Sequence, residues 1–169
     1  MLELVSPDIS YKKQWEGIIQ EWDNSRKRPW IFFQDSYEIF LEKIALPSIS
    51  DDAINQISKS SFFFLQEIES KKIVGFYWLR HNLKFWDDDV YGGQIGYGIR
   101  PSERQKGYGK EGLNLLLTEA KKLGFDKVFI ACDDDNIPSA KIIEANGGVL
   151  EKYTKRDEVK GRRYWINLK

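Results

Sequence analysis

Arg104-Gln105-Lys106-Gly107-Tyr108-Gly109-Lys110 is the stretch on which the reading of this chain turns. Upstream of it, Gln94 to Arg100 sets Ile95, Tyr97 and Ile99 in alternation with Gln94, Gly96 and Gly98, the period of a strand. Downstream, Tyr108 to Leu123 repeats Leu113, Leu116, Leu117, Ala120 and Leu123 at helical spacing. A basic, glycine-bearing passage from strand to helix suits an anion. The first helical N–H groups have no partner inside the helix, the macrodipole adds partial positive charge, and glycines let a phosphate approach the backbone. A phosphorylated ligand is therefore the first to expect.

Working outward toward the N-terminus, Gly92 to Arg100 follows a polar loop, Trp86-Asp87-Asp88-Asp89. Before that loop, Ser60 to Ile68 and Lys72 to Arg80 are rich in Phe, Ile, Val, Tyr and Trp, and Glu69-Ser70-Lys71 is the length of a hairpin turn. Leu2 to Val5 is a short strand, and Ser6-Pro7-Asp8 opens a helix with Tyr11, Trp15, Ile18, Ile19 and Trp22 on one face. Polar Asn24 to Pro29 and aromatic Trp30-Ile31-Phe32-Phe33 lead into a second amphipathic segment with Tyr37, Phe40, Leu41 and Ile44. Toward the C-terminus, Val128 to Cys132 is a strand, and Asn136-Ile137-Pro138 starts a helix that Asn146-Gly147-Gly148 stops. Strands near Val149 to Tyr153 and Arg163 to Asn167 flank a charged linker, Lys155 to Gly161, read as a solvated turn. The order predicts a mixed α+β or α/β chain built around one sheet, with residues 1–169 as a single domain.

Composition narrows the function classes. With 41% hydrophobic and 14% aromatic residues in a chain of 169, one good core is available. Lys plus Arg and Asp plus Glu both number 26, so no global charge draws nucleic acid or an anionic membrane, and neither is expected as a partner. Cys132 and His81 are the single cysteine and histidine, which leaves too few ligands for a zinc site and points to a reducing compartment; no metal is expected. The N-terminus lacks a signal-peptide profile and no apolar run approaches the ~20 residues of a membrane span, so a cytoplasmic location is expected. Asp133-Asp134-Asp135 reads as a complement to the following helix dipole, and Asp87-Asp88-Asp89 as a solvated loop that a cationic amine could approach.

Three readings compete for the phosphate loop. Gly107-x-Gly109-x-x-Gly112, with Asp126 or Asp133 downstream, satisfies a dinucleotide fingerprint, but six residues, Pro101 to Lys106, separate the strand from the first glycine, and the upstream strands read as antiparallel. A nucleotide triphosphate loop fares worse, because Glu111 stands where Ser or Thr is required. The third reading covers more of the chain. Arg104-x-x-Gly107-x-Gly109 after a Gly-laced strand, then Asn136-x-x-Ser139 and Glu144-Ala145-Asn146-Gly147-Gly148, resembles the GNAT superfamily of N-acetyltransferases over about Gly92 to Glu151. Arg80-His81-Asn82-Leu83, Gly92-Gly93-Gln94-Ile95-Gly96-Tyr97 and Ile99-Arg100-Pro101-Ser102-Glu103-Arg104 further resemble a bacterial group of predicted acetyltransferases.

The resemblance implies a mostly antiparallel central sheet of about six to seven strands flanked by about four helices. It implies acetyl-CoA as donor substrate and a small-molecule or peptide amine as acceptor, in a monomer or homodimer. The strand ending at Arg100 would splay from its neighbour and pair with the pantetheine arm, bringing in Gly98, Ile99 and Arg100. The N–H groups of Gln105, Lys106, Gly107, Tyr108, Gly109 and Lys110 would hold the pyrophosphate, with Arg104 and Lys106 adding charge. Asn136 would bond the pantetheine arm, Ser139 and Lys141 lie where cofactor contacts are made, and Ile99 N–H would face the developing oxyanion. Where many members carry a tyrosine acid, seven residues after Asn136, this chain has Ile143; Tyr97 or a water takes that part, with His81 and Tyr97 as candidate bases. Cys132 is expected to be an inert buried thiol, and Trp22, Trp30, Phe32 and Phe33 to be core or rim, in the region of the first helices where the resemblance implies the acceptor pocket is shaped. The alternatives are a non-catalytic acyl-CoA sensor and, further off, a dinucleotide-binding oxidoreductase.

Overall fold

The β-branched and aromatic runs become strands β1 (Leu2–Val5), β2 (Ser60–Glu67), β3 (Ile73–Arg80), β4 (Ile95–Ile99), β5 (Lys127–Asp133), β6 (Val149–Arg156) and β7 (Val159–Asn167). The periodic segments become helices α1 (Lys12–Asp23), α2 (Tyr37–Phe40, continued by the π turn Leu41–Ala45), α3 (Tyr108–Lys122) and α4 (Ile137–Glu144). This computed structural model describes residues 1–23, 35–45, 60–81, 93–156 and 159–169; Asn24 to Pro29, Trp30 to Phe33, Trp86 to Asp89 and Gly92 lie outside them.

The class is the mixed α+β one expected, with a correction to the sheet. Instead of one continuous ladder there are two antiparallel sheets, β1-β2-β3-β4 and β5-β7-β6. They meet at Gln94, whose N–H donates to Phe129 O at 2.8 Å while its side-chain Oε1 accepts Phe129 N–H at 3.0 Å. Beyond that pinch, no ladder joins β4 to β5 among the described residues, so a seam opens between them. The pinch requires a glycine beside it. A Cβ on Gly93 would lie 2.6 Å from Ile130 Cα and 2.8 Å from Ala131 N, so the two backbones touch where a side chain would wedge them apart.

Two apolar clusters hold the layers. On one face, Val74, Tyr77, Leu79 and Ile95 meet Leu113 and Leu116 of α3, Ile143 of α4 and Ile130 and Tyr164 of the second sheet. On the opposite face of β2 and β3, Trp15, Ile18 and Trp22 of α1 pack with Phe40, Phe62, Phe64 and Phe76, and the Trp15 ring stacks on Phe40 at 4.5 Å. Gly98 belongs to this packing: a Cβ there would strike the Phe76 ring at 2.7 Å and Trp22 at 2.9 Å. The side-chain-poor face of β4 is thus filled by aromatic rings. Leu123, read as the end of the α3 stripe, is 51% exposed because it caps the helix beyond the last buried turn. The linker Lys155 to Gly161 is also corrected. Its ladder continues as Lys155↔Lys160 and Arg156↔Val159, and exposed, charged faces had made these strand residues read as a turn.

The stretch before α3 is tied down from three sides. Pro101–Glu103 forms a 3-10 turn; Arg100 Nε bonds Glu21 at 2.5 Å, and Ser102 N–H donates to the same carboxylate at 3.1 Å. Tyr108 donates its hydroxyl proton to Glu67. Glu103, 4% exposed, accepts from Lys72 and, at 2.7 Å, from Lys106. Burial pushes the Glu103 carboxyl up, but the hydrogen bonds from Lys106 and Lys72 outweigh it and hold it below the usual carboxylate range.

Two outcomes follow from these contacts. Gly93→Ala should lower the stability measured by urea unfolding by about 1–3 kcal/mol, the range for inserting atoms into a packed site; an unchanged midpoint would remove the pinch as a constraint. A carboxylate with a depressed folded pKa contributes stability that is present above its unfolded pKa of about 4.3 and lost as pH falls through the folded value. Glu103→Gln should therefore unfold at a lower temperature than wild type at pH 7, by a margin that shrinks on acidification toward pH 3. A margin that is constant with pH contradicts the ion-pair role.

Candidate functional site

The backbone parity of β4 determines what faces the seam. Arg100 N–H donates to Val74 O at 2.9 Å, and Arg80 N–H donates to Gln94 O at 2.8 Å. Because alternate residues of an antiparallel ladder turn their polar groups to opposite sides, Gly98 and Gly96 share this β3-facing orientation, opposite Phe76 and Trp78. Ile99 and Tyr97 present N–H and C=O to the seam instead. Ile99 O accepts from Arg104 Nε at 3.2 Å, so Arg104 borders the seam's mouth, with its guanidinium 5.4 Å from the Trp22 ring.

At that mouth the chain forms a concavity of amides. Gln105 and Gly107 adopt positive φ, 65° and 83°, the alternation that turns successive N–H groups toward one point. None of the described residues supplies an acceptor to the N–H groups of Gln105, Lys106, Gly107, Tyr108 or Gly109. Lys110 N–H is already taken by Gly107 O at 3.0 Å, so the cradle is one amide shorter than expected. The direction of a Gly107 Cβ has nothing within 4 Å and faces open space. Gly109 and Gly112 have a different reason: side chains there would strike Ile142 at 2.6 Å and Tyr77 at 2.5 Å. The second and third glycines of the dinucleotide pattern thus serve helix packing.

The far wall of the seam is the start of α4. Asn136 caps it, accepting Ser139 N–H at 3.3 Å, and Ser139 Oγ lies 2.8 Å from the Tyr97 hydroxyl. The Tyr97 ring stacks on Tyr77 at 5.4 Å, and Tyr77 in turn donates to Gly109 O at 2.9 Å, linking seam to cradle. Burial pushes the Tyr97 hydroxyl well above its ordinary pKa, so it is protonated at neutral pH. Cys132 also meets Ser139, and burial pushes its thiol up, which fits the inert role expected of it.

The structure brings Tyr97, Ile99, Arg104, Gln105 to Gly109, Asn136 and Ser139 to one seam, and leaves others elsewhere. The Gly98 and Arg100 backbones face β3, and the Arg100 side chain is held by Glu21. The Lys106 charge is engaged by Glu103, and Lys141 is exposed on α4. His81 Nε2 lies 2.8 Å from Ser61 Oγ beyond the far end of β3. Six residues separate it from Gly75, the partner of Ile99, which is about 20 Å of strand. Ile143 is fully buried within the core cluster. Sequence reasoning missed Gln94, Glu103 and Tyr77, though a buried glutamine at the edge of an apolar strand is a signal of a special contact. Among the described residues, no group of three His, Cys, Asp or Glu converges to hold a metal, and no helix is long and apolar enough to cross a membrane.

Comparison with known proteins agrees with this geometry. The family model "Acetyltransferase (GNAT) domain" matches residues 10–149. The chain is 26% identical over 83 residues to the uncharacterized N-acetyltransferase YnaD of Bacillus subtilis; the alignment covers 48% of each, so it spans about half the length of that relative. The fold is similar to the microcin C7 self-immunity acetyltransferase MccE in complex with acetyl-CoA and AMP, at TM-score 0.72 and 20% identity over 98% of this chain and 92% of that one. It is likewise similar to RimL, a ribosomal L7/L12 alpha-N-protein acetyltransferase in complex with coenzyme A, at TM-score 0.73 and 16% identity over 98% and 93%. With the family match spanning both walls of the seam and the amide cradle between them, this chain belongs to the GNAT family of acyl-CoA-dependent acetyltransferases.

Proposed function

We propose that the chain transfers an acetyl group from acetyl-CoA to a primary amine by direct attack. The observation that carries this reading is the continuity of the amides of Gln105 to Gly109, to which no described residue supplies an acceptor, with an edge of β4 that no described strand pairs beyond Gln94. A diphosphate fits the first and an extended amide-bearing arm fits the second, in the manner of an added strand. Asn136 and Ser139 would meet the arm from α4, and Arg104 supplies charge at the mouth. Support for an amine acceptor comes from RimL, whose name specifies an alpha-amino group.

In the reaction, the amine nitrogen forms a bond to the acetyl carbon, the carbon–sulfur bond breaks, the nitrogen loses a proton and the departing thiolate gains one. Ile99 N–H, with Tyr97 N–H on the same side of β4, stabilises the carbonyl oxygen as it becomes an oxyanion. The Tyr97 hydroxyl, linked to Ser139, donates a hydrogen bond to the departing thiolate, which takes its proton by way of water; burial raises the Tyr97 pKa, so the phenol keeps its own proton. His81 is too far along β3 to serve as a base. An acceptor with an amine pKa of about 8, such as an α-amino group, needs little help to deprotonate, and the site favours that kind. A lone buried Cys132 thiol fits the reducing cytoplasm.

Gly107→Glu should raise the Kd for CoA roughly a hundredfold in calorimetry, as expected for losing two charge-assisted hydrogen bonds of about 1.5 kcal/mol each. Gly107→Asn, which tolerates a left-handed backbone, should stay within about threefold of wild type. Equal affinities for wild type and Gly107→Glu would reject the cradle. Tyr97→Phe should lower kcat for CoA release roughly a hundredfold or more while leaving acetyl-CoA affinity intact; an unchanged kcat removes Tyr97 from the chemistry. Binding of acetyl-CoA with no CoA release across a broad amine panel would favour the sensor alternative.

A further inference from the structure

One polar group on the open edge of β4 is already engaged. The Ile99 carbonyl faces the seam and accepts from Arg104 Nε at 3.2 Å. The 3-10 turn Pro101–Glu103 makes this contact possible by reversing the chain: Glu103 N–H donates to Arg100 O at 2.8 Å, and Arg104 returns beside the last residue of β4. The Arg104 guanidinium also lies 5.4 Å from the Trp22 ring, which is buried among the α1 aromatics. An arm that adds to β4 as a further strand needs this same carbonyl as the acceptor for its amide N–H. An arginine side chain therefore stands where that amide would bond.

The cations of the loop are not equivalent. Arg100 bonds Glu21 and Lys106 bonds Glu103, each a carboxylate. Among the described residues Arg104 has no carboxylate partner, and its hydrogen bond goes to a neutral carbonyl. Ionised phosphate oxygens are a stronger partner for a guanidinium, whose planar fork can meet two of them at once. The amides of Gln105 to Gly109, next in the chain, are where such oxygens would lie. The loop itself is fixed from behind by Glu21 and Glu103, so Arg104 can change partner by turning its side chain alone.

We propose that Arg104 is a latch that selects the donor: its Nε covers the Ile99 carbonyl until a diphosphate draws the guanidinium away, so the arm pairs with β4 only in ligands that carry both parts. The proposal rests on the acetyl-CoA reading above and deepens it by naming the residue that makes the two halves of the donor bind cooperatively. A phosphate-free thioester must displace Arg104 with nothing to receive its charge, whereas a diphosphate gives the guanidinium a better partner in exchange.

Calorimetry with CoA, dephospho-CoA and pantetheine tests the latch without any acceptor. Arg104→Met keeps an apolar stem against Trp22 and removes every donor. It should weaken CoA and dephospho-CoA alike, roughly tenfold, and tighten pantetheine by about threefold or more. Arg104→Lys keeps the charge but has carbon where Nε stands, so it should show the same gain for pantetheine with a smaller loss for CoA. A merely structural role would weaken all three ligands together. Pantetheine binding that is unchanged, weaker or undetectable in the folded variants overturns the latch, as does a CoA affinity that does not fall in Arg104→Met. A loss confined to CoA overturns it too, because Arg104 would then be reading the 3′-phosphate that dephospho-CoA lacks. Wild type that fails to bind CoA would instead sink the acetyl-transfer reading on which the latch rests.

Discussion

The architecture depends on a single backbone contact, the pinch at which Gly93 and Gln94 meet Phe129 and Ile130. Two effects compete there. A full ladder between β4 and β5 would satisfy every amide of both edges, whereas the pinch satisfies Gln94 and Phe129 and leaves Tyr97 and Ile99 facing a gap. Tyr97 and Ile99 are only part-buried at that gap, and packing on both sides holds the opening. The α1 aromatics behind β4 and the Ser139 wall of α4 supply that packing. On the proposed reading, this edge, which no described strand pairs beyond Gln94, is where an extended ligand would complete the sheet.

The amide cradle is held open by a complementary device. Glu103 engages Lys72 and Lys106, Glu21 engages Arg100 and Ser102, and Glu67 accepts a hydrogen bond from the Tyr108 hydroxyl. Carboxylates thus grip the loop from behind while its N–H groups face outward. The basic residues that mark the loop in sequence divide the labour: Arg104 stands at the mouth, whereas Lys106 and Arg100 serve the scaffold. A positively charged sequence around a phosphate loop is therefore not the same as a positively charged site.

Much of this was legible in the chain. The glycine loop, the hairpin of β2 and β3, the buried faces of α1 and α3 and the Asn136 cap all follow from local periodicity and turn chemistry, which depend on near neighbours. What was not legible depends on pairing between distant segments. Nothing local to Gly96 and Gly98 tells that their backbones face β3 rather than the gap, because a one-residue shift in register would reverse it. The split of the sheet needs Gly93 set against Ile130, and the placement of His81 needs the β3 register. The Lys155 to Gly161 linker misled because both faces of the hairpin are charged, so alternation carries no apolar signal there.

Where the resemblance would place a tyrosine, α4 carries Ile143, and the structure sets a different hydroxyl beside the seam. Ile143 is committed to the core, and the hydroxyl nearest the seam comes instead from β4, Tyr97, bonded to Ser139. Burial keeps the Tyr97 hydroxyl protonated, so it can donate a hydrogen bond into the seam. The most direct measurement of the central claim is a crystal structure grown with excess CoA. The account predicts diphosphate oxygens on the amides of Gln105 to Gly109 and the pantetheine arm bonded to the backbone of Ile99 and Tyr97. CoA bound elsewhere, or a closed ladder between β4 and β5 with those amides facing only water, would contradict it.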